Sequence, residues 1–303
     1  ALWGVAFQSA MFGQLWDEAL HACISHPLAD ERKENLKLLI LGMVNAGALD
    51  KLMDMSLAVV EDGGAGLRGG LDLFALAAQT IEEAAVEQAS LPIGSSSRDV
   101  ENVLLNRPNY WESLYALHAS RGNWRQAAHA MDMCGKATAD FVSSSKASAD
   151  KPLVLSKALS RKIMDDACMS AQACVHAISL VEKPSHRYLL SGNQDIPSEA
   201  RLLTQEDLER RAVRALALRT FSLDEYAPDS VSSILESTSR DTIDSLAKFG
   251  YYDQAIAVAS GVSSKRKGLP GGVDLFDDAL KYILITYLVP AAVNSSSKSD
   301  AAN

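Results

Sequence analysis

A glycine-rich run at residues 64–69 is the first feature of the sequence that could bind a ligand. It reads GAGLRG and satisfies G-x-G-x-x-G, the pattern in which backbone N–H groups reach a pyrophosphate at a helix N-terminus. Residues 57–60 could form the preceding strand, and residues 71–85 predict a helix. However, no second strand follows, and the nearby acidic residues Glu82, Glu83 and Glu87 lie within that helix. The sequence therefore favours a loop between helices, with a nucleotide-dependent enzyme as an alternative.

Histidine and cysteine side chains do not converge on a metal site. His21, Cys23 and His26 are close in sequence, but His21 and Cys23 diverge by about 200° on a helix. Cys168 and Cys174 lie about 240° apart on another predicted helix. Because a structural zinc ion requires four convergent ligands, we expect neither a metal nor a cofactor.

Side chains for nucleophilic or acid–base catalysis are also not arranged in a known pattern. The sequence contains neither G-x-S-x-G nor H-E-x-x-H. His118 and His176 lie in predicted helices, where a single histidine is usually a satisfied core residue. The carboxylate pairs Glu82–Glu83 and Asp165–Asp166 are adjacent in helices, so their members point in different directions. We therefore predict no catalytic residue.

Composition and charge restrict the classes of partner. The net charge of −9 and the short basic run at residues 265–267 argue against direct nucleic-acid binding. The four cysteines form no C-x-x-C pair, which is typical of reduced thiols in the cytosol or nucleus. The apolar stretch 282–290 is too short for a membrane span. Since the chain opens at Ala1 within an apolar run, we expect it to be a fragment of a longer protein.

The dominant period is helical. Apolar side chains recur at helical spacing, as at Tyr110, Leu114 and Leu117, and helix stops and starts occur at residues 45–47 and at residues 204–207. We predict about ten to thirteen helices and no hairpins of alternating strands. The expected domain is a helical stack over residues 1–293, with a possible subdivision near 91–108 and a disordered tail at 294–303.

One helix-turn pattern recurs along the chain. Residues 121–127 read RGNWRQA, residues 249–255 read FGYYDQA, and residues 12–19 read FGQLWDEA, a looser copy with one extra residue. We expect the glycine to adopt the left-handed conformation and the alanine to allow close helix approach. The copies have no fixed short period. The pattern thus predicts an all-α fold, an irregular α-solenoid of stacked helical hairpins.

Residues 107–128 carry a resemblance to a known family. They read RPNYWESLYALHASRGNWRQAA, similar to a helix and turn of the 160-kilodalton nucleoporin family. Residues 167–179, 203–210 and 247–259 resemble further family segments in the same order, whereas residues 19–52 are compatible but less specific. The resemblance covers roughly residues 15–290. The glycine-rich insert at 63–70 and the serine-rich breaks near 95 and 145 depart from the family pattern and put loop lengths in doubt.

The resemblance implies a structural role. Members of that family combine an N-terminal β-propeller, absent from this fragment, with a C-terminal helical stack in the Y complex of the nuclear pore. The chain is then expected in the nuclear envelope, within a large hetero-oligomer, contacting other Y-complex nucleoporins at the hub of the complex and supporting nucleocytoplasmic transport, including mRNA export. The family implies no catalysis and no cofactor. Another α-solenoid adaptor, of the tetratricopeptide or vesicle-coat type, is the alternative.

A partner-binding surface is expected on the last long helix, which we predict to end at Pro290. Its apolar side chains cover more than one face, so some of them must be covered by a partner or by an adjoining helix. Ordinary packing at the end of the stack is the alternative. The predicted contact residues are Phe276, Leu280, Ile283, Leu284, Tyr287 and Leu288, with Tyr282 and Ile285 beside them.

Overall fold

Helices dominate the computed structural model of the chain, which describes residues 2–61, 72–90, 108–147, 157–191, 201–222 and 239–263. Eleven α-helices account for 83% of the described residues. The predicted all-α class is therefore confirmed. The finer prediction, stacking of the hairpins into an irregular solenoid, remains a prediction.

The helices are joined in part by very short connections, and a two-stranded ribbon lies between the eighth and ninth helices. The helices are α1 (Leu2–Phe12), α2 (Trp16–Ile24), α3 (Ala29–Asn45), α4 (Leu49–Glu61), α5 (Leu73–Ser90), α6 (Tyr110–Ser120), α7 (Trp124–Ala147), α8 (Lys157–Ser179), α9 (Gln205–Ser222), α10 (Ser239–Lys248) and α11 (Tyr252–Ser263). A short 3-10 helix covers Pro184–His186, and the strands are β1 (Tyr188–Ser191) and β2 (Arg201–Thr204).

The chain divides into two compact units within α7. Unit 1 is Ala1–Cys134 and unit 2 is Gly135–Asn303. The subdivision expected near 91–108 stays a prediction, because residues 91–107 lie outside the described residues. The tail at 294–303 also lies outside them.

Unit 1 is built from contacts between helices that follow one another in the chain and between helices further apart. Helix α1 packs on α2 and α3, α3 packs on α2, α4 and α5, and α6 packs on α4 and α5. The core consists of aliphatic side chains spaced at helical intervals, since one face of each helix is removed from water. The largest fully buried side chains of this unit are Leu36, Ile40, Met43, Leu52, Ile81 and Leu117.

Helix α9 is central to unit 2, because it packs on α8, α10, α11 and the end of β2. One cluster joins α9 to the last described hairpin through small and branched side chains. Its buried members are Ala217, Ile243, Leu246, Ala247, Ala255, Val258 and Ala259.

The ribbon of β1 and β2 was not predicted from the sequence. The strands are antiparallel, with Leu189 opposite Leu203, and both of these side chains are buried. Leu202, the neighbour of Leu203, is exposed, so β2 does alternate between core and solvent. Four residues are too few for that alternation to stand out from a helical pattern in the sequence.

Four connections share one hydrogen-bond arrangement. In each, a residue with positive φ follows a helix, and the N–H of the next residue donates to the carbonyl five positions earlier at 2.8–2.9 Å. The carbonyl of that next residue, here called the junction residue, accepts a hydrogen bond from the first turn of the following helix at 2.9–3.2 Å. The left-handed residues are Gln14, Gly47, Gly122 and Gly250, and the junction residues are Leu15, Ala48, Asn123 and Tyr251.

The left-handed glycines predicted in the two strict copies of the turn are confirmed. Gly122 has φ +69° and Gly250 has φ +87°, and the stop predicted at Gly47 has φ +72°. The fourth residue after each junction residue is buried in the angle of the hairpin, at 0–2% exposure. These residues are Ala19, Leu52, Ala127 and Ala255.

The looser copy of the turn differs from the expectation. Gly13 does not have a positive φ, and Gln14 takes the left-handed conformation instead, with φ +54°. Relative to the glycine, α1 ends one residue later than the helices of the strict copies do, directly before Gly13, and the left-handed residue also comes one position later. The glycine pattern marks the turn correctly but places its left-handed residue wrongly.

The predicted start of the helix near residue 204 is confirmed as a capping box. The Asp207 N–H donates to Thr204 Oγ1 at 3.4 Å, and the Thr204 N–H donates back to Asp207 Oδ2 at 3.1 Å. Because both groups satisfy backbone donors that a helix leaves unpaired, they fix the point where β2 ends and α9 begins.

Substitution of the turn glycines tests this arrangement. We expect Gly122→Ala to lower the free energy of unfolding by about 1 to 2 kcal/mol, because a side chain is strained at positive φ. Gly13→Ala is the matched control, since a Cβ there would meet Leu15 Cγ at an ordinary 3.4 Å. Chemical denaturation of both variants measures the difference; equal losses would contradict the assignment of the left-handed residue.

Candidate functional site

The hairpin of α6 and the first turns of α7 contains residues 109–128, and Asn109 caps its first helix. The Asn109 side-chain oxygen accepts hydrogen bonds from the N–H groups of Trp111 at 3.1 Å and Glu112 at 3.4 Å. Its amide nitrogen donates to Glu112 Oε1 at 2.9 Å and approaches Cys134 Sγ at 3.5 Å. Asn109 therefore fixes the start of α6 and ties it to the next helix.

The aromatic residues after Asn109 hold α6 in unit 1. The Tyr110 hydroxyl donates to Asn45 Oδ1 at 2.8 Å, which connects α6 to the end of α3. Trp111, Leu114 and Leu117 follow at helical spacing, and all three are buried. The predicted apolar face of this helix is therefore confirmed for Leu114 and Leu117, whereas Tyr110 lies at its edge.

His118 and Arg121 both contact the ring of Phe74 on α5. The His118 ring meets Phe74 edge to face at 5.7 Å between centroids, and the Arg121 guanidinium lies 5.1 Å from the Phe74 centroid. Such contacts add to the apolar contribution of the aromatic side chain. The described parts of the signature hairpin thus consist of caps, core residues and ring contacts.

Burial lowers the pKa of His118, and the neighbouring His129 lowers it further. His118 Nδ1 is buried with no hydrogen-bond partner. A neutral imidazole in contact with Phe74 tolerates this environment better than an imidazolium. The expectation that His118 is structural agrees with this position.

The four cysteines are all buried, and none of them forms a disulfide. Burial raises the pKa of Cys23 to about 12. Burial also raises the pKa of Cys168, although the guanidinium of Arg219 opposes the shift. A thiol nucleophile requires a lowered pKa and access to solvent, so Cys23 and Cys168 are poorly suited to covalent chemistry.

The carboxylate pairs named above face solvent or bind cations of the fold. Glu82 and Glu83 are exposed, and Glu83 forms an ion pair with Lys37 at 3.4 Å. Asp165 accepts a hydrogen bond from Arg219, which joins α8 to α9. Glu83 and Asp165 thus each contact a cation on a neighbouring helix, and the divergence within each pair stays a prediction.

Residues 21–26 contribute to the connection before α3. The Leu28 N–H donates to His26 Nδ1 at 3.3 Å, and Cys23 is fully buried.

Across the described ranges, no three His, Cys, Asp or Glu side chains come together as a metal site would require. In the same part of the chain, no helix is both long and apolar enough to cross a membrane.

Helix α1 carries an exposed apolar surface that the sequence analysis did not identify. Its eleven residues include no charged side chain, and only Phe7 and Ala10 are buried. On the inner side Met11 lies so close to α3 that a Cβ on Gly42 would collide with its terminal methyl group. On the outer side the exposed large side chains are Leu2 (86%), Val5 (63%) and Phe12 (95%), followed by Leu15 (52%) in the turn.

We call Leu2, Val5 and Phe12, with the exposed Ser9 between them, the α1 stripe. The sequence did carry a signal for this surface: residues 2–12 contain no charged side chain, whereas a helix on the surface normally has charged residues between its apolar ones. The partner-binding residues predicted from the sequence lie elsewhere, at positions 276–288, outside the described residues. The glycine run at 64–69 also lies outside them.

The buried thiols give a test of the packing. We expect the native chain to react with dithiodipyridine at pH 7 far more slowly than the unfolded chain, which should titrate as four thiols. The absorbance of released thiopyridone measures both rates. Rapid reaction of Cys23 or Cys168 in the native chain would contradict their burial.

The lowered pKa of His118 predicts how stability depends on pH. Below about pH 6.5 the unfolded chain binds the proton more readily than the folded chain, so the free energy of unfolding falls as the pH is lowered. His118→Phe keeps a ring against Phe74 but removes the titrating group, and should flatten this dependence. Denaturation curves between pH 8 and pH 5 measure it; an unchanged slope would contradict the assignment.

Comparison of the chain with models of known protein families and with curated proteins finds no match. A function therefore has to be inferred from the residues themselves. The two features that bear on it are the signature hairpin at 109–128 and the α1 stripe.

Proposed function

We propose that this chain is a non-enzymatic scaffold component of the nuclear pore outer ring, similar to the helical region of the 160-kilodalton nucleoporin of the Y complex. In that role it acts through protein–protein contacts within a large hetero-oligomer at the nuclear envelope and supports nucleocytoplasmic transport and mRNA export.

The observation that carries the proposal is the use of the signature residues. Asn109 caps α6, Trp111 and Leu117 fill the core, Gly122 reverses the chain, and Ala127 is fully buried where α7 begins. A segment whose residues form one helical hairpin is a marker of architecture. Its resemblance to a scaffold family therefore concerns the part of the sequence that determines the fold.

The chemistry of the described residues also favours a binding protein over an enzyme. Burial raises the pKa of Cys23 and of Cys168, and Glu83 and Asp165 are paired with cations of the fold. The α1 stripe, in contrast, is a surface suited to another helix. Helical repeat proteins typically present such surfaces to their partners.

A second candidate is an α-solenoid adaptor of another assembly, such as a vesicle coat. The four turns favour it as much as a nucleoporin, because three-residue connections of this kind occur in helical hairpins in general. The two candidates differ in location and partners.

Tagging of the full-length gene product distinguishes them. We expect a punctate nuclear rim in live cells and co-purification with Y-complex nucleoporins under mild salt. A matched control is the same protein with Leu117→Asp, which should lose both, since a carboxylate at a fully buried position disrupts the hairpin. Localisation of the unmodified protein to vesicles or to diffuse cytosol would contradict the nuclear pore proposal and favour the adaptor.

A further inference from the structure

The α1 stripe has the spacing of a helix-pairing surface. Leu2, Val5, Ser9 and Phe12 are separated by three, four and three residues, the spacing of core positions in a coiled coil. At 100° per residue they fall within about 80° of the helix circumference. The stripe is about 15 Å long, which matches the contact of two or three helical turns.

The exposure of these side chains calls for a covering element. A helix that is apolar on all sides is normally buried, and α1 buries only the side that faces α2 and α3. Isolated exposed apolar residues are common, but here three large ones lie along one side of the helix, with Leu15 following in the turn. Exposed apolar patches mark interaction sites in folded proteins.

Charge indicates what kind of helix fits. The stripe itself is uncharged, and the exposed Asp17 and Glu18 follow it in the first turn of α2. Lys51 pairs with Asp17 at 2.9 Å, which leaves the local balance acidic. Residues 1–134 as a whole contain seventeen acidic and nine basic side chains, whereas residues 135–303 contain twenty-one and twenty.

This balance disfavours a second copy as the occupant. Two copies paired through α1 would bring two acidic units together, and like charges across an interface oppose association. A helix with basic side chains beside its apolar face brings the opposite charge to the acidic unit and to Asp17 and Glu18 at the end of the stripe. Such a partner also approaches faster at low ionic strength.

We propose that the α1 stripe docks a basic amphipathic helix of another protein. The partner places apolar side chains at coiled-coil spacing against Leu2, Val5 and Phe12, and its lysine or arginine side chains lie near Asp17 and Glu18. The inference rests on the proposed scaffold function but is independent of the nuclear pore assignment.

The direct test uses the full chain and two fluorescent 18-residue peptides. Both carry leucine at the a and d positions; one has lysine and the other glutamate at the remaining positions. We expect fluorescence anisotropy to show binding of the lysine peptide at least about tenfold tighter than that of the glutamate peptide, with the difference reduced by salt. Equal binding of the two peptides, or no binding of either, would overturn the proposal.

Substitutions locate the site. Val5→Glu and Phe12→Glu should each weaken lysine-peptide binding by about tenfold or more, because each removes an apolar contact from the interface. Val86→Glu on α5 is the matched control. Val86 is also exposed (50%), and its substitution adds the same charge to unit 1 outside the stripe. If Val86→Glu weakens lysine-peptide binding equally, the peptide responds to the net charge of the chain, and docking on the stripe is contradicted.

Two further outcomes separate this proposal from the others. Sedimentation of the chain alone should show a monomer. A dimer that Phe12→Glu disrupts would identify a second copy as the occupant of the stripe and refute the proposal of a basic helix. Failure of the peptides with normal co-purification of Y-complex nucleoporins would refute the α1 inference alone. Loss of co-purification with intact, stripe-dependent peptide binding would refute the nuclear pore assignment alone.

Discussion

The described hairpins depend on one hydrogen bond, donated by a junction residue to the carbonyl five positions earlier. It forms only if the preceding residue is left-handed, and the next helix begins after a connection of only three residues. Asn123 and Tyr251 make this bond in different units, and each is followed four residues later by a fully buried alanine. Leu52 occupies the same position after Ala48, so burial of this residue, and not its small size, is what the four turns share.

That constraint explains why the residues at 109–128 are better understood as architecture than as a site. Gly122 supplies the left-handed conformation, and Asn109 caps the helix before it. The His118 ring and the Arg121 guanidinium both contact the ring of Phe74. Side chains that are committed to caps and cores are not available for chemistry. Among the described residues, the α1 stripe is an apolar surface that the packing of the helices leaves exposed.

The sequence was sufficient for the features that depend on local interactions. Left-handed glycines and the Thr204–Asp207 cap were predicted because each involves residues within one turn, whose types have direct backbone consequences. Gln14 was not predicted, since a non-glycine residue at positive φ depends on where the helices meet. The ribbon of β1 and β2 was missed for a related reason: four-residue strands are stabilised by the helices beneath them.

The α1 stripe shows the corresponding limit for the candidate site. Its residues were visible as an apolar run, but hydrophobicity alone does not distinguish Phe7, which is buried, from Phe12, which is exposed. That difference arises from which side of α1 faces α2 and α3, a long-range property. The resemblance at 107–128 was easier to recognise, because it depends on the order of residue types along the chain and not on which side of a helix is covered.

Residue-resolved amide hydrogen exchange tests the central claim most directly. If the hydrogen bonds of the junction residues close the hairpins, the amides of Leu15, Ala48, Asn123 and Tyr251 exchange as slowly as those within the adjoining helices, because each is bonded at 2.8–2.9 Å. Exchange of these four amides at the rates of open loops would mean that the helices are joined differently, and the hairpin architecture would be wrong.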